Sequence, residues 1–154
     1  MIPLLLPCVV GASGYALYTS IASIQNVRTY EEQTKQAAKI SNIAEEQLNN
    51  TRTTEAAGAL ATAVSLLTAT AFTVYPNQSP GIQLGFAGFN VAALAFASDH
   101  ISRFWRGKSK VPLPGAGNYN DAISQMETLT RTLWMLAVAW VVEFGVVGWG
   151  FMSA

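Results

Sequence analysis

The chain is predicted to be all-helical: an integral membrane bundle of four transmembrane helices, with an extended cytoplasmic helical hairpin between the first two spans. Three observations carry that expectation. The 154 residues are 51% apolar and 12% charged, about half the charge of an average soluble domain. Four runs of about twenty residues, at about 2–24, 56–75, 82–101 and 129–151, are nearly free of charge, and each is long enough to cross about 30 Å of hydrocarbon. All nine Lys and Arg fall in the connections 25–55 and 102–128 or at their edges, although the net charge is zero. Residues 1–154 therefore read as a single membrane domain. Cytoplasmic connections carry the excess of basic residues, so those two connections are expected in the cytoplasm. The N- and C-termini and the loop around Asn77 are then extracellular or lumenal.

In the first span, Pro3 and Pro7 are tolerated in the opening turns of a helix, where the missing N–H has no partner to lose. No basic residue precedes the apolar stretch and positive charge follows it at Arg28, so a retained span is expected rather than a cleaved signal peptide. Gly11 and Gly14, with Ala12 and Ser13 between them, form a surface without bulk. In a membrane that favours close approach of another helix, since packing rather than hydrophobicity drives association there.

Residues 25–54 turn polar without a Gly or Pro and are rich in Glu, Gln, Lys and Ala, all strong helix formers. Tyr30, Ala37 and Ala44 recur every seven residues, a weak seam suited to a short hairpin. Glu31 and Lys35 stand at the favourable four-residue spacing. Thr53, Thr54 and Glu55 suggest the start of the second span, with hydroxyl caps and an early carboxylate. Its first half, Ala56, Ala57, Gly58, Ala59, Ala61 and Ala63, suits close packing on nearly every side, at the bundle centre or an inter-subunit seam.

Pro76, Asn77, Ser79, Pro80 and Gly81 read as a turn, which makes spans two and three antiparallel neighbours. Span three carries Gly81, Gly85 and Gly88 on related faces, Asn90 near mid-membrane, and Asp99 and His100 before the basic end that begins at Arg103. Phe104 and Trp105 suit an interfacial aromatic belt. Residues 111–120, with Pro112 and Pro114, read as a loop or strap, and an amphipathic lead-in with Ile123, Met126 and Leu129 feeds span four.

Glu143 interrupts span four. A charged acid at that depth costs about 2.5–3.5 kcal/mol on insertion scales, and Arg131 lies twelve residues away, about 18 Å at 1.5 Å per residue. Glu143 is therefore expected to be buried, neutral and hydrogen-bonded to a polar group at its own depth, with Asn90 the first choice. Ser65 and Ser13, at matching depth on spans two and one, complete an expected intramembrane polar layer. Three roles compete for it: structural glue, the lining of an ion or small-molecule path, and a catalytic acid or base. Asp99, His100 and Arg103 form the expected cytoplasmic interface cluster, with Asp99 and His100 hydrogen-bonded to each other. Gly11, Gly14, Gly58, Gly85 and Gly88 are the expected helix-packing positions.

No nucleophile elbow, phosphate-binding loop or metal-ligand cluster appears. The sequence thus names no catalytic residue, cofactor or metal, and the basic residues beside spans point to membrane lipids rather than nucleic acid. A single cysteine, Cys8, excludes an internal disulfide. The expected function is a homo-oligomeric assembly, scaffold or pore-like. The alternative is a small membrane-embedded enzyme acting on a lipophilic substrate. In layout, four spans in about 150 residues with both polar connections on one side, the chain is similar to the membrane-associated eicosanoid and glutathione metabolism proteins, which are trimeric four-helix enzymes. That family marks its second helix with Arg, Asn and Glu at a fixed spacing. Here Asn49, Arg52 and Glu55 stand in a different order and spacing, so no site residue carries over.

Overall fold

The computed structural model describes residues 5–38, 42–108 and 117–153, and side chains within 5–25, 49–108 and 120–153 apart from residue 122. These form four helices and no strand: α1 (Leu5–Ala38), α2 (Asn42–Val74), α3 (Pro80–Trp105) and α4 (Gly117–Met152). Within them, Leu5–Gln25, Asn49–Val74, Pro80–Trp105 and Ile123–Met152 are long and apolar enough to cross a membrane. Even the 26-residue α3 is about 39 Å long at 1.5 Å per residue, more than the hydrocarbon thickness requires.

Each helix packs on its neighbours in chain order, α1 also packs on α4, and α2 meets α4 across the short diagonal. Pairings run in opposite directions along every adjacent pair. Ser13 meets Ser65 while Ser20 approaches Gly58. Thr54 meets Trp105 while Phe72 meets Phe86. Gly88 faces Phe144 and Gly148 faces Leu84. The bundle is therefore up-down-up-down, as short helix–helix connections favour.

The inward faces follow helical periodicity. On α3 the buried positions are Gln83, Ala87, Asn90, Leu94, Ala97, Ser98, Ile101 and Trp105, recurring every three or four residues as one stripe of a 3.6-residue helix does. On α4, Ile123, Met126, Leu129, Leu133, Leu136, Trp140 and Glu143 make the matching stripe. The outward faces keep large apolar residues such as Tyr18, Phe96, Val138 and Trp149 exposed, as helices that face lipid do.

Four local expectations are corrected. Thr53 and Thr54 cap nothing, because the strong helix formers before them carry α2 back to Asn42, and both hydroxyls donate to carbonyls one turn earlier, at Asn50 and Thr51. Pro80 and Gly81 belong to α3 rather than to the turn. Pro80 sits in the first turn, where it costs no hydrogen bond, and the Ser79 carbonyl accepts from the Ile82 and Gln83 amides. Residues 117–120 are helical, since the last proline lies three residues before them. Finally, of the two places expected for α2, the bundle centre is excluded: α2 is one corner of a four-sided bundle, with Leu60 and Leu67 67% and 70% exposed, since a ring of four helices leaves each an outward face. Tyr30, Glu31, Lys35 and Ala37 lie on α1 and Ala44 on α2, but the side-chain contacts expected of that seam and of the Glu31 and Lys35 pair fall outside the described side chains, and the loop 111–116 falls outside the described residues.

Candidate functional site in the bundle interior

Span depth brings Ser13, Ser65, Asn90 and Glu143 inside the bundle, and all four are buried. They do not form one network. The Ser13 and Ser65 hydroxyls share a hydrogen bond of 2.9 Å across α1 and α2, and the Trp140 indole N–H of α4 donates to the same Ser65 oxygen at 2.9 Å. Three helices are thus tied at one point. A hydroxyl has one donor and two acceptor sites, so Ser65 can accept from the indole while sharing a proton with Ser13. The sequence reading missed Trp140. Its signal was present, since a mid-span indole on the inward stripe needs an acceptor.

Glu143 lies one helical turn beyond Trp140 on the same stripe. The residue is only 2% exposed, and its Oε2 has no hydrogen-bond partner. Asn90 is fully buried; its Nδ2 donates to the Phe86 carbonyl at 2.9 Å and its Oδ1 accepts nothing. The expected hydrogen bond between Glu143 and Asn90 is therefore not made. Asn90 instead bonds back onto its own helix, a competing option always within reach of a short amide. The result is a pair of buried polar side chains in the α3–α4 half, each with spare hydrogen-bonding capacity.

The interior around them is packed. Leu94, Leu133, Leu136 and Trp140 are at most 1% exposed and belong to one apolar cluster with Val9, Ala69 and Ala87. Gly58 is the tightest glycine, since a Cβ there would stand 3.0 Å from Leu129 Cδ2 and 3.2 Å from Ile101 Cδ1. At Gly88 a Cβ would make ordinary contact with Phe144 at 3.7 Å. At Gly11, Gly14 and Gly85 it would meet no described neighbouring group within 4 Å. These three face outward because the α1 and α3 inner stripes are filled by Ser13, Ala16, Ala87 and Asn90.

At the basic end the predicted cluster divides. Asp99 pairs with Arg103 at 2.8 Å, one turn along α3, and His100 stacks on Phe96 at 6.0 Å between ring centroids. The expected bond between Asp99 and His100 is not among these contacts. A helix places residues i and i+4 on one face and neighbours about 100° apart, which favours the observed partners. Among the described residues no three His, Cys, Asp or Glu groups come together. Trp105 is buried, and its indole donates to Thr54 Oγ1 at 3.3 Å, joining α3 to α2. The Lys108 amine lies over the Phe104 ring, 3.8 Å from its centroid, and 4.8 Å from that of Trp105. Burial pulls this amine below its ordinary pKa.

The hollows on the described surface include one lined by Ile82, Gly85, Phe86 and Phe89 and two larger ones. A groove of about 500 Å³ between α2 and α3 is walled mostly by Ala, Leu and Phe side chains, with Thr53 and His100 toward one end. A cleft of about 380 Å³ between the end of α3 and the start of α4 is lined by charged and hydroxyl groups as well as Trp105 and Met126. No protein-family model, curated protein or solved structure matches the chain.

Proposed function

We propose that the protein is a multi-pass membrane scaffold whose copies associate through the glycine-bearing outer faces of α1 and α3, with both basic connections in the cytoplasm. One observation carries this reading. Gly11, Gly14 and Gly85 leave open space at the surface, beside the exposed rings of Tyr15, Tyr18, Phe86 and Phe89. Lipid tails offer little gain for covering apolar surface, so complementary packing of bumps against hollows is what drives helices together. A second copy fills those hollows. The filled interior favours a scaffold over a pore running through one chain, and α1 continues thirteen residues past its span, from Gln25 to Ala38, giving the assembly a helical projection on the cytoplasmic side.

Light scattering of the purified protein, corrected for bound detergent, tests the assembly: a multiple of 16.5 kDa is expected, and a monomer throughout sinks it. Gly11→Leu with Gly85→Leu is expected to shift the population to monomer while leaving helicity intact. Orientation is tested in a Cys8→Ser background. Cysteine introduced at Ser79 should react with an impermeant thiol reagent added outside, and cysteine at Gly107 should not; the reverse pattern inverts the topology.

A second reading, a small membrane-embedded enzyme acting on a lipophilic substrate, is favoured by the groove between α2 and α3. Its Ala and Phe walls suit an acyl chain, and His100 could move a proton at the end nearer the aqueous boundary. Covalent capture of a photoreactive fatty acid at Phe89 or Phe96, lost when Leu60→Trp fills the groove, separates this reading from a scaffold.

A further inference from the structure

The cleft between the end of α3 and the start of α4 is lined by Arg106, Lys108, Glu127 and Arg131 together with hydroxyl groups, Trp105 and Met126. Arg106, Lys108 and Arg131 converge on it against a single carboxylate, Glu127, so its walls carry a net charge of two positive (three cations less one anion). Among the described residues, none of the three cations makes an ion pair. The Arg106 Nη2 donates instead to the Ser102 hydroxyl at 3.0 Å, and Lys108 is held over two aromatic rings. Arg103, on the same helix end, is by contrast already paired with Asp99. The cleft therefore holds cations that no ion pair among the described residues neutralises.

Its position adds a second constraint. The spanning part of α3 ends at Trp105 and that of α4 begins at Ile123, so the cleft lies where hydrocarbon gives way to headgroups. Its inner wall is apolar, with Trp105 and Met126 both buried, and Trp105 is fixed by its bond to Thr54. Arg131 lies two turns inside the α4 span. A long side chain there keeps its stem along apolar surface and carries its guanidinium outward to the boundary. Guanidinium groups suit phosphate oxygens because their N–H donors form a planar fork. The C-terminal end of the α3 dipole opposes an anion, but this half-charge is outweighed by the cleft's net charge of two positive.

We propose that this cleft binds the phosphate of an anionic membrane lipid, with Arg106 and Arg131 as the principal contacts, Lys108 supplying further charge and the acyl chains running down the apolar face of α3 and α4. A phosphate monoanion in solution shares the headgroup chemistry but not the requirement for an apolar wall. The proposal rests on the reading that the chain spans a membrane, which the cysteine-labelling experiment tests separately; lipid indifference in a correctly inserted protein sinks only the lipid site.

The test is equilibrium binding of a fluorescent-chain phosphatidylglycerol to the full chain in a neutral detergent, with phosphatidylcholine and inorganic phosphate as competitors. Unlabelled phosphatidylglycerol should compete at least about tenfold better than phosphatidylcholine. Arg106→Gln and Arg131→Gln should each weaken binding about fivefold, the effect typical of one basic residue near an anionic surface. Arg103→Gln removes the same charge from the same helix end outside the cleft and should change binding by less than about twofold. Equal losses for Arg103→Gln and Arg106→Gln would mean diffuse surface electrostatics and overturn the site. Equal competition by phosphatidylcholine overturns it too, and full displacement by millimolar inorganic phosphate overturns the lipid assignment. Should either Gln variant fold poorly by circular dichroism, Arg106→Lys and Arg131→Lys must retain binding that weakens as salt is raised from about 0.05 to 0.5 M; failure of either condition counts against the proposal.

Discussion

The two halves of the bundle are held together differently. Where α1 meets α2 the buried side chains are mostly short and hydroxylated: Ser13, Ser20, Ser23, Thr51, Thr54, Thr62, Ser65 and Thr68, with Glu55 near one end. Where α3 meets α4 they are mostly bulky and apolar: Leu94, Ile101, Trp105, Met126, Leu129, Leu133, Leu136 and Trp140. Many hydroxyls of the first half turn back onto carbonyls of their own helix, as Thr62 does to Gly58 and Thr68 to Val64. They thereby satisfy themselves locally and let the two backbones approach. The second half gains contact from interdigitated large side chains, and each half keeps buried polar atoms without a partner: the Ser20 and Ser23 hydroxyls in the first, Asn90 Oδ1 and Glu143 Oε2 in the second. The first half adheres by closeness and the second by volume, so the same substitution has different consequences in each.

The largest effect is expected from Trp140→Ala, which empties the α3–α4 half and also orphans Ser65. Loss of a fully buried Trp costs about 3–5 kcal/mol, measurable as an earlier unfolding midpoint in a denaturing-detergent titration. A loss below about 1 kcal/mol would mean that volume does not hold this half.

Next comes Gly58→Ala, which pushes a methyl from the closely spaced half against Leu129 and Ile101 of the other. Overpacking costs about 1–3 kcal/mol and the better helix propensity of Ala returns about 1 kcal/mol, so a net destabilisation of about 1 kcal/mol is expected. Gly145→Ala, with no neighbouring atom within 4 Å of the added methyl, should instead be neutral or slightly stabilising. Identical signs for the two in the same titration would remove the distinction between filled and open glycines.

Ser65→Ala should cost about 0.6–1.7 kcal/mol, the span from average to largest for interhelical hydrogen bonds in a membrane, because it leaves both the Trp140 indole and the Ser13 hydroxyl without their partner. The smallest effect is expected at Glu143. With no hydrogen bond from its side chain, Glu143→Gln should change stability by less than about 0.5 kcal/mol, within the range of substitutions that break no specific interaction. A loss above about 1 kcal/mol would reveal a partner supplied by another copy or a bound molecule, and would make this position part of the assembly.

The sequence was most legible where a single periodicity controls the outcome. The inward stripe at Ile123, Met126 and Leu129 follows from helical spacing, the four spans follow from run length, and the burial of Glu143, Asn90, Ser65 and Ser13 follows from the cost of polar groups at that depth. It was least legible where a side chain had several partners within reach. Asn90 could bond Glu143 or its own helix, Asp99 could bond His100 or Arg103, and Thr54 could cap a helix or continue one. In each case the local partner one turn away prevailed, since a helix supplies it without ordering a second element.

By itself the sequence determined that this protein is helical and that four stretches are long and apolar enough to cross a membrane, because charge content and run length depend on no particular packing. It also marked Glu143 as the acid that hydrocarbon would tolerate least. The tertiary structure alone decided which glycines are filled, Gly58 and Gly88, and which stand open, Gly11, Gly14 and Gly85. It also decided that Trp140 rather than Glu143 closes the hydrogen bonds with Ser65. These depend on the rotation of each helix about its axis, which is set by how all four inner stripes fit together and not by any one stretch of chain.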